Sequence, residues 1–121
     1  MDLNSLHRSL STALLLFTAV SGLWGLATYA RGRGVTASYW GILACLELLA
    51  VGQGLLGLAM LLSGEQPGRL VHILYGIVAV VTLPGAYAYT HGRDDRRAAL
   101  LYGLLCFFLL GASLRAAATA G

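Results

Sequence analysis

The stretch ASYWGILACLELLAVGQGLLGLAMLL, residues 37–62, decides the fold: it is almost wholly apolar and holds one formal charge, Glu47. An α-helix rises 1.5 Å per residue, so about 20 such residues cross the roughly 30 Å hydrocarbon core of a bilayer. Working outward, three further stretches of that kind appear, giving predicted spans at 6–29, 37–62, 70–90 and 98–117. The connections, at 30–36, 63–69 and 91–97, are short and carry Gly or charge. Short connections make sequential helices antiparallel neighbours. The 121 residues are 58% hydrophobic and 11% charged, too apolar for a soluble domain of this size. The expected fold is therefore an all-α membrane protein, a single four-transmembrane-helix up-down bundle over residues 1–121.

Arginine placement sets the expected orientation, since the chain has no lysine. Arg31 and Arg33 lie in the first connection and Arg93, Arg96 and Arg97 in or beside the third, against Arg8, Arg69 and Arg115 on the opposite side. The positive-inside rule puts the first and third connections in the cytoplasm and both termini outside, as in a multi-pass protein of a bacterial-type plasma membrane. The formal net charge of +3 belongs to this topology, and no nucleic-acid partner is implied. Arginines follow the first apolar run where a cleavable signal would have them in front, so the first helix is expected to stay.

An imperfect two-helix repeat runs through the chain. Tyr39-Trp40-Gly41-Ile42-Leu43 answers Leu101-Tyr102-Gly103-Leu104-Leu105, and His7 and His72 open the first and third spans. Parallel copies would be related by an axis along the membrane normal, which sets the two histidines at similar depth. Helical steps from His7 reach Ser11, Leu14, Thr18, Ser21 and Gly25, and from His72 they reach Gly76, Ala79, Leu83 and Ala86. Small residues favour helix or ligand approach over lipid contact, so both faces should look inward. Ionisable groups at the edge of a span are costly without a partner, and a matched pair calls for a shared one. A metal, a haem iron in particular, is that expected partner; an interfacial, solvated imidazole is the alternative for each. His91, in an arginine-rich connection, should be solvated.

The His7-Arg8 pair opening one span, a histidine opening the span two later, and the helix end Gly111-Ala112-Ser113-Leu114-Arg115-Ala116-Ala117-Ala118-Thr119-Ala120-Gly121 resemble the haem A synthase family. The resemblance implies that His7 and His72 are axial ligands and that Arg115 lies near a haem propionate. That family has two four-helix units and an outer catalytic segment, whereas one unit is present here. What carries over is the scaffold and a single haem b site for electron transfer, without synthase activity. Two axial imidazoles leave no open iron position for a substrate. Ser11, one turn from His7, is the candidate partner for its second ring nitrogen, and Gly76 gives close approach beside His72. Arg8 and Arg69 either pair with propionates or snorkel to the interface.

Glu47 sits near the middle of its span, where an acidic residue costs about 2.5–3.5 kcal/mol on the insertion scale. It is expected either in an interhelical hydrogen bond or on a proton or quinol path. Gln53 is expected to bond across to Arg115. Cys45 and Cys106 occupy near-equivalent places as packing residues, and Trp24, Tyr29, Tyr39, Trp40, Tyr87, Tyr89 and Tyr102 should form an interfacial belt. Two function classes follow. One is a small haem b protein beside a larger membrane redox complex. The other is a cofactor-free accessory subunit packing against a respiratory or photosynthetic complex.

Overall fold

The computed structural model describes residues 2–64 and 70–119; Arg69 lies outside them. These residues form four helices, α1 (Leu3–Ala30), α2 (Ala37–Leu62), α3 (Val71–Thr90) and α4 (Arg96–Thr119), and no strand. Each helix is long and apolar enough to cross a membrane.

Polar side chains fix where the helices start. Asp2 Oδ1 accepts from the Ser5 amide at 2.8 Å, so α1 begins ahead of the apolar run. Thr36 Oγ1 accepts from the Tyr39 amide at 3.2 Å at the head of α2. Asp95 Oδ1 accepts from the Ala98 amide at 2.9 Å, which draws Arg96 and Arg97 into the first turn of α4. At the end of α3, His91 is left-handed (φ 53°) and Gly92 follows at φ 73°, with the Gly92 amide donating to the Tyr87 carbonyl at 3.0 Å. His91 is exposed, as its surroundings in sequence predict.

The helices close a four-membered ring in which α1 touches α2 and α4, α3 touches α2 and α4, and α1 stands diagonally opposite α3. The most extensive interface is between α1 and α4. Glycine makes it possible: a Cβ on Gly25 would lie 2.7 Å from the Gly103 Cα and against the Tyr39 hydroxyl. Beside this crossing the Tyr39 hydroxyl donates to the Ser21 carbonyl at 2.8 Å. Trp40 meets the rings of Tyr87 and Tyr102 edge to face. Below it the first and third connections are joined, with the Val35 amide donating to the Asp94 carbonyl at 2.7 Å. Arg96 donates from Nε to the Tyr29 carbonyl at 2.8 Å and stacks over the Tyr29 ring.

The core is apolar but encloses the hydroxyls of Thr18, Ser21 and Ser113, while Leu16, Leu48 and Leu55 are 65%, 70% and 62% exposed. Leucines of this size on the outside go with the span-like length and apolarity of all four helices.

Two expectations are corrected here. Tyr39 and Tyr102 do not belong to an outer aromatic belt: both are fully buried, because Gly25 and Gly103 open space for rings between the helices. Trp24, Tyr87 and Tyr89 are exposed. Cys45 and Cys106 are not equivalent either, since Cys106 is buried in the core and Cys45 points outward.

Candidate functional site

The candidate site lies at the end of the bundle where α1 and α3 begin. Helical periodicity places His7 on the same face as Leu14, Thr18, Ser21 and Gly25, and the last four are all buried. The face beginning at His72 leads to buried Leu83 through the half-buried Gly76, Ala79 and Ala86. Both faces therefore turn inward. The imidazoles of His7 and His72 reach across the diagonal and meet with ring centroids 6.1 Å apart and planes at 73°.

Neighbouring helices orient each ring differently. His72 Nδ1 is 2.7 Å from the Ala116 carbonyl oxygen on α4. A carbonyl only accepts, so this nitrogen carries the proton and, in the neutral ring, Nε2 keeps its lone pair. Ligating histidines are commonly held by such a contact to their other ring nitrogen. His7 Nδ1 is buried with no hydrogen-bond partner among the described residues, so Ser11, half-buried one turn away, does not supply one. The backbone of His7 is held from α2: Gln53 Nε2 donates to the His7 carbonyl at 2.8 Å.

Gly57, one turn beyond Gln53, borders the His7 ring: a Cβ there would lie 3.5 Å from His7 Cε1. Gly76, one turn from His72, is not packed against a neighbour, since a Cβ there would meet nothing within 4 Å.

Donor number and spacing define which group would fit. Among the described residues no cluster of three or more His, Cys, Asp or Glu side chains can hold a metal ion. A metal held by this pair would need its remaining ligands from elsewhere, which a porphyrin supplies. The two imidazoles form an edge-to-face pair, and His7 and His72 are the side chains that would hold such a group.

The other expected members are placed less closely. Arg115 is exposed and precedes Ala116, so it stands at the histidine end of α4; Arg8 is exposed on α1. Gln53 does not bond to Arg115 as expected. Its Nε2 is engaged by the His7 carbonyl and its Oε1 is buried without a partner among the described residues; α2 and α4 are diagonal, and α1 touches both.

The sequence marks Gly57 only as one of several glycines that allow close helix approach, not as a neighbour of His7, and it does not mark Ala116 as a site residue. The one-turn spacing of Gly57 from Gln53 is the signal that ties it to this end of the bundle. Ala116 contributes a backbone oxygen, which no side-chain pattern reveals. Compared with profiles of known families, with curated proteins and with solved structures, the chain matches none.

Proposed function

We propose that this chain is a multi-pass protein of a bacterial-type plasma membrane that holds one haem b between His7 and His72 and carries electrons near the extracytoplasmic face. The bundle would be up-down with both termini outside, and α1–α2 and α3–α4 would be two copies of a parallel repeat. The diagonal placement of α1 opposite α3 supports that pairing. The arginines in and beside the first and third connections, which meet at one end of the bundle, support the cytoplasmic assignment of that end.

The observation that carries the reading is the meeting of two imidazoles from diagonal helices at 6.1 Å. His72 would ligate through Nε2, oriented by the Ala116 carbonyl, and His7 from the opposite side. When bound, the group supplies a one-electron couple. Arg115 would pair with its carboxylate edge by charge-assisted hydrogen bonds. Gly57 keeps a side chain out of the space beside the His7 ring. The exposed leucines would face lipid and a larger membrane redox complex that exchanges the electron.

A reduced-minus-oxidised absorption spectrum of the detergent-purified protein tests the proposal. Sharp haem b bands are expected, and each of His7→Ala and His72→Ala should abolish them. A colourless protein that co-purifies at fixed stoichiometry within a large complex would overturn the haem reading in favour of an accessory subunit.

A further inference from the structure

Six buried side-chain polar atoms have no hydrogen-bond partner among the described residues. Three of them, His7 Nδ1, Gln53 Oε1 and Ser113 Oγ, lie toward the histidine end, and a fourth, Glu47 Oε1, lies near the bundle centre. Buried polar atoms are normally satisfied, so these orphans call for an explanation.

Glu47 and Ser113 border the same enclosed space at the bundle centre. Ser113 is only 6% exposed. From the surrounding helices the space is faced by Leu14 and Thr18 on α1, Ala79 and Leu83 on α3, and Leu109 and Ser113 on α4, none of them charged or titratable. His7 and His72 toward one end, and Tyr39, Tyr102 and Cys106 toward the other, do not border it. The space is too narrow to admit a water molecule or a hydrated cation. A proton is the one ligand that needs no additional volume. The Glu47 carboxyl can bind it, and Ser113 Oγ can accept a hydrogen bond from the protonated form or donate one to the ionised form.

We propose that the half-buried Glu47 is a reversible proton-binding site at the centre of the bundle, bordered by Ser113 and coupled electrostatically to charge held between His7 and His72. One proton from solution forms one O–H bond on the carboxylate, and the same bond breaks on release. Gln53, bonded to the His7 backbone, stands six positions beyond Glu47 on α2, a rise of about 9 Å, so the histidine pair lies further along the bundle from Glu47. In an interior of low dielectric, charges separated by somewhat more than this still interact. An electron arriving at the histidine pair from a one-electron donor would favour proton uptake on Glu47, and its departure would favour release.

The proton site itself does not depend on haem; only the coupling rests on the function proposed above. Infrared difference spectra between two bulk pH values, taken on the detergent-purified protein, read the site directly. A carboxylic C=O band that titrates is expected, lost in Glu47→Gln and shifted in frequency in Ser113→Ala. The band should remain in His72→Ala, whose haem site is removed. A wild-type band identical at both pH values, or one unaffected by Glu47→Gln, would overturn the proposal. In haem-loaded protein the reduction potential should fall by up to about 59 mV for each tenfold decrease in proton concentration, and Glu47→Gln should flatten this dependence. A wild-type potential independent of pH overturns the coupling while leaving the infrared result to decide the proton site.

Discussion

Gln53 donates from Nε2 to the backbone carbonyl of His7, 2.8 Å away, so α2 holds the turn of α1 that presents the first imidazole. An α-helical carbonyl already accepts from the amide four residues on, and Gln53 takes its second lone pair. A side chain in the apolar part of α2 thereby positions a residue that it does not touch through its ring. Removing it should loosen the site before it unfolds the bundle.

Gln53→Leu is accordingly expected to cost about 0.5–1.5 kcal/mol in SDS-induced unfolding, the range of interhelical hydrogen bonds in membranes. The same substitution should speed the loss of bound haem in a competition assay with apomyoglobin. Unchanged unfolding and unchanged haem loss would remove Gln53 from the site.

The α1–α4 crossing gives a sharper stability test. At Gly25 an added Cβ would sit 2.7 Å from the Gly103 Cα, a backbone atom that cannot move without separating the helices. Gly25→Ala should destabilise by about 1–3 kcal/mol through overpacking. Gly41→Ala, where a Cβ meets nothing within 4 Å, should be neutral or stabilising by up to about 1 kcal/mol. Equal unfolding midpoints for the two variants would contradict the glycine crossing.

Asp2 carries a pH dependence at the start of α1. The Ser5 amide, donating to its carboxylate, holds the group below the usual carboxylate range. A folded-state pKa lowered in this way stabilises the first turn above the unfolded-state value, and the effect is lost as pH falls through the folded-state value. Hydrogen exchange at the Ser5 amide, corrected for its intrinsic pH dependence, should lose protection on acidification. Asp2→Ala should show the unprotected rate at neutral pH as well.

Orientation can be read with reporters. With the connections at 31–36 and 91–95 in the cytoplasm, alkaline phosphatase fused after residue 121 should be active, and fused within 91–95 it should be inactive. Replacing Arg93, Arg96 and Arg97 with Ala should reduce that asymmetry. The reverse pattern of activity would place the histidine pair on the cytoplasmic side.

The sequence by itself determined the helices and their inner faces. Apolar runs bounded by Arg, Gly and Asp located all four spans to within a few residues, and the 3.6-residue period placed Leu14, Thr18, Ser21, Gly25 and Leu83 inside. These properties are local, set by hydrogen bonding along each helix and by side-chain direction around its axis. Short connections already made sequential helices neighbours; only the tertiary structure decided that α1 closes most extensively on α4 and which side chains meet across the ring. That closure brought His7 to His72, gave Gln53 to the His7 carbonyl instead of to Arg115, and turned Tyr39 and Tyr102 from the expected interface into the core. It depends on how closely two backbones approach, as at Gly25 and Gly103, and the separate period of each helix carries no information about that fit.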